Sequence, residues 1–125
     1  VLLKGLDDRG LVFYTHRTSP KGRQLAGRPV AALTFFWDLL ERQVRVRGTV
    51  EWTTDAESDE YFQSRPRGSQ FGAIVSAQSS IIPDRDSLER SLAELQARVG
   101  DDPLERPRTW GGWSGSSGWP GRFRG

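Results

Sequence analysis

The first fifteen residues, VLLKGLDDRGLVFYT, hold two apolar runs rich in β-forming residues with Asp-Asp-Arg-Gly between them. Apolar runs separated by such a turn signal predict a β-hairpin. Ser19-Pro20 then precedes a short amphipathic stretch that closes at Gly27-Arg28-Pro29, the start and stop marks of a brief helix. Residues 30–40, VAALTFFWDLL, and 42–54, RQVRVRGTVEWTT, follow as two further strands. In the second, Val44, Val46 and Val50 alternate with Arg45 and Arg47, and a period of two marks a half-buried strand.

Two longer helices are expected downstream. Thr54 or Asp55 can cap the first, acids fill its first turn, and Pro66 stops it near Arg65. For the second, Asp84 or Asp86 is the cap, Leu88, Leu92, Leu95 and Val99 recur at helical spacing, and Gly100 ends it. From residue 107 the chain reads PRTWGGWSGSSGWPGRFRG, rich in Gly, Ser, Trp and Arg without period. No regular structure is expected there. The pattern as a whole predicts a mainly β domain, an antiparallel sheet or barrel with helices packed outside, over residues 1–106, and an irregular tail over 107–125.

Composition narrows the chemistry. With 125 residues, 35% hydrophobic and 27% charged, one ordinary domain is expected. No run of about 18 apolar residues and no basic-then-apolar leader occurs, so the expectation is a cytoplasmic protein with no membrane partner. The absence of cysteine excludes disulfides and thiolate metal sites, and a single histidine, His16, predicts no histidine-based metal cluster. Redox or group-transfer chemistry would fall to a borrowed cofactor. Of the 18 basic residues all but Lys4 and Lys21 are arginine, the side chain suited to bidentate anion binding. With no methionine and an opening on VLLKG, the sequence reads as a piece of a longer protein.

The densest cluster of anion-binding side chains is YFQSRPRGSQFGAIVSAQSS, residues 61–80. Tyr61 and Arg65, four apart, share one helix face, and Ser69 follows just past Pro66, so the three can form a phosphate cup or a solvated helix end. Tyr14-Thr15 and Gln78-Ser79-Ser80 serve turns as readily as ligands. Gln43, within a strand, can present its amide to a heteroaromatic edge or to water, and Lys4 can reach a phosphate or snorkel. His16 reads as a polar turn residue. Walker, dinucleotide-binding, His-Glu-x-x-His and Gly-x-Ser-x-Gly signals are all missing.

VLLKGLDDRGLVFYT, FFWDLLERQVRVRG, YFQSRPRGSQFGAIVSAQSS and WGG, in this order and spacing, resemble the pyridoxamine 5′-phosphate oxidase family of flavin enzymes over residues 1 to about 112. The resemblance implies an FMN-binding split β-barrel, antiparallel and Greek-key-like, incomplete in this chain and working as a homodimer with flavin mononucleotide between the subunits. It implies FMN contacts at Lys4, Tyr14, Thr15, Lys21, Gln43, Gln78 and Ser79. Lys4, Tyr61, Arg65 and Ser69 would hold the phosphate of the vitamin B6 substrate. The implied reaction oxidises pyridoxine or pyridoxamine 5′-phosphate to pyridoxal 5′-phosphate, with dioxygen as the final acceptor. The flavin carries the redox step, and the protein supplies position and charge.

The chain departs from the family pattern in three places. Pro20 stands where an arginine typically precedes Lys21. The segment expected ahead of VLLK is absent. After WGG the chain reads WSGSSGWPGRFRG in place of the family's Arg-Leu-His-Asp-Arg segment, so no catalytic residue is assigned and Trp119, Arg122 and Arg124 receive no role. Two other readings compete: a non-catalytic split-barrel module that binds flavin or pyridoxal phosphate, and an arginine-rich nucleic-acid binder suggested by a pI near 9.5. The resemblance favours the enzyme and no nucleic-acid partner.

Overall fold

The computed structural model describes residues 1–76 and 81–115. Strands β1 (Gly5–Asp7) and β2 (Gly10–His16) form the expected hairpin. The Asp7 carboxylate accepts from the backbone N–H groups of Arg9 and Gly10 at 2.9 and 3.2 Å, and Gly10 turns the chain at φ +125°, a conformation side chains disfavour. Ser19 caps α1 (Pro20–Gly27) by accepting from Gly22 N–H at 3.1 Å. Gly22 is required there, because a Cβ would strike the carbonyls of His16 and Arg17.

β3 (Val30–Trp37) and β4 (Arg42–Trp52) pair antiparallel from Val30↔Thr49 to Trp37↔Arg42, joined by a 3-10 turn at Asp38–Leu40. α2 (Asp55–Ser64) opens on a full capping box between Thr54 and Glu57 and stops at Arg65 as predicted. α4 (Arg85–Val99) is capped by Asp84 and closed by Gly100 at φ 54°.

Two elements correct the sequence reading. α3 (Arg67–Val75) was not expected, yet it starts directly after Pro66, whose fixed φ suits the cap position it occupies. The proline that ends one helix therefore begins the next. β5 (Trp110–Gly115) lies where no regular structure was predicted. Its backbone pairs with β2 from Val12↔Ser114 to His16↔Trp110 and with β4 from Val50↔Gly115 to Trp52↔Trp113. Hydrogen bonding on both sides overrides the poor strand propensity of Trp-Gly-Gly, an effect set by partners far away in sequence. The sheet thus includes residues past 106, and residues 116–125 lie outside the described part.

The sheet order is β1-β2-β5-β4-β3, with a core on each face. Phe62, Phe71, Leu95, Leu104 and Trp110 fill one side against α2, α3 and α4; Phe13, Leu25, Val50 and Trp113 fill the other beneath α1. Among the described residues β5 pairs with β4 at Val50–Trp52, and the outer part of the β3–β4 hairpin forms an arm paired within itself. Phe36, Trp37, Leu39 and Leu40 are exposed on it, Leu39 at 94%. Among the described residues no helix is long and apolar enough to cross a membrane, and no group of three or more His, Cys, Asp or Glu is placed to hold a metal.

Candidate functional site

Alternation along β2 sends Tyr14 and His16 to one face and Phe13 and Thr15 to the other. On the Tyr14 face, α2 delivers Tyr61 and its cap residue Arg65, and α3 delivers Ser69, Gly72, Ala73 and Ser76 at i, i+3, i+4 and i+7. These groups and Lys4 enclose a cavity of about 380 Å³ with Trp110 of β5 as a wall. All four residues expected to hold a substrate phosphate, Lys4, Tyr61, Arg65 and Ser69, meet here together with Tyr14.

The walls are aromatic. Tyr14 stacks on Tyr61 at 4.0 Å between ring centroids and on Trp110 at 5.1 Å, while the Arg65 guanidinium lies 4.9 Å from the Trp110 centroid. Tyr14 can lie against β5 only because residue 112 is glycine: a Cβ there would approach Tyr14 Cε1 to 2.8 Å and Thr53 Oγ1 to 2.6 Å.

Charge in the cavity is one-signed. Lys4 and Arg65 contribute cations, and no carboxylate is among the described lining residues. Nη1 of Arg65 is buried and has no hydrogen-bond partner among the described residues. Burial first, and the Arg65 charge second, hold the His16 imidazole below its usual 6.5. Burial and the neighbouring Tyr61 push the Tyr14 phenol up. An oxyanion entering this cavity would meet the unpaired guanidinium donor, a lysine and hydroxyl donors, which is the set a phosphate monoester needs.

A smaller space of about 300 Å³ adjoins on the far side of the Tyr14–Tyr61 pair, sharing Lys4. Its Arg9 is already paired with Asp7 at 2.7 Å and with Glu57, so that cation is neutralised internally.

The other expected cofactor residues do not converge on the first cavity. Thr15 faces α1, 1% exposed, with Oγ1 3.4 Å from Ser19 Oγ. Lys21 lines a separate cavity of about 600 Å³ between α1 and β3. Gln43 sits opposite Phe36 on the projecting arm and lines none of the three spaces. Gln78 and Ser79 lie outside the described residues.

His16 and Arg106 escaped the sequence reading. His16 is no turn residue but the buried end of β2, and its i, i+2 relation to Tyr14 was the available signal. Arg106, with a 2% exposed side chain, donates to Asp59 at 2.6 Å, to Asp55 at 3.0 Å and to the Trp110 carbonyl at 2.6 Å. It fastens α2 to the strand that carries Trp110. No local pattern marks it, since its acidic partners are 47 and 51 residues upstream.

The family model described as pyridoxamine 5′-phosphate oxidase matches residues 1–98. The chain belongs to this family. Two curated relatives, each named pyridoxine/pyridoxamine 5′-phosphate oxidase, come from Pseudomonas paraeruginosa and Synechocystis sp.; they are 55% and 57% identical over 113 residues, 90% of this chain and 53% of theirs. The chain therefore spans about half the length of the curated relatives it matches. Among solved structures, PhzG from Burkholderia lata, in complex with tetrahydrophenazine-1-carboxylic acid, superposes with a TM-score of 0.84 at 30% identity, covering 91% of this chain and 55% of that one. A pyridoxamine 5′-phosphate oxidase-related, FMN-binding protein from Nostoc punctiforme gives 0.66 at 16% identity, covering 92% and 60%, a likeness of fold alone. The mainly β architecture with flanking helices is the split-barrel class of these neighbours.

Proposed function

We propose that the chain is the part of an FMN-dependent pyridoxine/pyridoxamine 5′-phosphate oxidase that grips the substrate phosphate. The observation that carries this reading is the cation-lined, carboxylate-free cavity in which Arg65 presents a buried, unpartnered Nη1. Lys4 and Arg65 bind the phosphate, Tyr61 and Ser69 donate hydroxyl hydrogen bonds, and the Tyr14–Tyr61–Trp110 wall excludes water beside it. Anchoring at a phosphate remote from the reacting carbon orients the substrate and leaves that carbon free for oxidation. FMN, when bound, supplies the two-electron acceptor that dioxygen reoxidises to yield peroxide. Thr15 and Lys21 belong to its site on the α1 side.

Gln43 fits this reading in a cytoplasmic homodimer. Phe36, Trp37, Leu39 and Leu40 stand exposed along the described β3–β4 hairpin, an apolar patch suited to a partner surface. A second copy covering it buries those side chains and carries Gln43 to the partner's flavin.

Oxygen consumption with FMN and pyridoxine 5′-phosphate is the test, with flavin fluorescence reporting binding. Peroxide and pyridoxal 5′-phosphate are the expected products. The sequence WSGSSGWPGRFRG after WGG, in place of the family's Arg-Leu-His-Asp-Arg segment, favours a second reading, a binding module without turnover; saturable flavin binding with no oxygen uptake would establish it.

A further inference from the structure

The cavity of about 600 Å³ has features that the reading above does not use. Phe13, Leu25, Val30 and Leu33 form its apolar wall, while Lys21, Arg23 and Arg28 contribute three cations, and no carboxylate is among the described lining residues. Among the described residues none of the three cations forms a salt bridge. Lys21, Gln24 and Arg28 recur at i, i+3 and i+7, so they follow one side of α1 and its cap, and Arg23, within the same turn as Lys21 and Gln24, lines the same cavity. Uncompensated like charges gathered over an apolar wall repel one another, and a bound dianion reverses that repulsion.

We propose that Arg23 and Arg28, beside Lys21, hold the phosphate of FMN. The inference rests on the flavin reading and extends it to two residues with no assigned role. It also accounts for Pro20: the start of α1 has no guanidinium to offer, and the charge comes instead from one turn further along and from the helix cap. The ligand class is a phosphate monoester with a flat apolar body. The phosphate is required, so riboflavin, the same body without it, gains nothing from these arginines.

Flavin fluorescence titrations of the purified protein with FMN and with riboflavin test this, using the wild type, an Arg23→Gln/Arg28→Gln variant and an Arg23→Lys/Arg28→Lys variant. Both arginines are exposed, and unchanged thermal melts check that the variants fold. The glutamine variant is expected to bind FMN about tenfold or more weakly and riboflavin unchanged, whereas the lysine variant stays within about threefold for FMN. FMN bound as tightly by the glutamine variant as by the wild type overturns the proposal and leaves the flavin reading intact. Equal weakening of FMN and riboflavin overturns it as well, because the arginines would then not be reading phosphate. A wild type that binds neither flavin overturns the flavin reading and the proposal with it.

Discussion

Arg65 combines two features: its guanidinium lies over the Trp110 ring, and its Nη1 is buried without an acceptor among the described residues. Stacking fixes the plane of the side chain, so the free donor is preorganised for an incoming oxyanion. Arg65→Gln removes the charge but keeps an amide. Calorimetry should show pyridoxine 5′-phosphate binding weakened by roughly tenfold to a hundredfold, the equivalent of one charge-assisted hydrogen bond, with pyridoxine binding unaffected. Across the Tyr14–Tyr61 pair, Glu57 behaves differently. The Arg9 guanidinium first, then the Thr54 backbone and hydroxyl, hold its carboxyl down to about 2 from an ordinary 4.5. An acid whose folded pKa is depressed adds stability that is complete above the unfolded value and is lost as pH falls towards the folded one. Thermal melts of Glu57→Gln should therefore lose less stability than the wild type between about pH 4.5 and 2, and differ from it most above that range.

Elements meet at β5, where Gly112 admits the Tyr14 ring and Arg106 ties the Trp110 carbonyl to α2. Gly112→Ala forces a methyl group into Tyr14 and Thr53, an overpacking cost of about 1–3 kcal/mol that should appear as a lowered melting temperature and a disturbed tyrosine near-UV signal. Arg106→Gln leaves the Trp110 carbonyl and Asp59 without their partner and Asp55 with only the longer Arg17 pair; chemical denaturation should show a loss of roughly 1–3 kcal/mol. These two positions also explain what was legible in the sequence. The β1–β2 hairpin, the alternating β4 and the capped α2 and α4 are written in local signals, and each forms where its turn, period or cap predicts. β5 and Arg106 depend on partners that only the folded chain supplies, so Trp-Gly-Gly reads as loop and Arg106 as surface charge. The cup is an intermediate case. Tyr61 and Arg65 were visible at helical spacing with Ser69 just past Pro66, but the α3 stripe of Gly72, Ala73 and Ser76 was hidden by treating Pro66 only as a stop.

On the scale of the whole molecule, the sheet separates two cation-lined cavities, one on the Tyr14 and His16 face and one on the Phe13 face, and carries an apolar arm beyond both. If the arm is the dimer contact, Trp37→Ser/Leu39→Ser should shift the sedimenting species from dimer to monomer and weaken flavin binding together, since Gln43 rides on the same hairpin. The central claim, that the Arg65 cavity recognises a phosphate ester, has a built-in reporter. His16 lines that cavity and is the only histidine in the sequence, so its ring resonances are unambiguous by NMR. Burial and the Arg65 charge hold its pKa below 6.5; a phosphate dianion beside Arg65 offsets that charge and favours the imidazolium. The measurement is the His16 titration curve in the free protein, with pyridoxine 5′-phosphate and with pyridoxine. The account predicts a saturable rise in the His16 pKa with the phosphate ester alone; the same response to both ligands, or none to either, would contradict it.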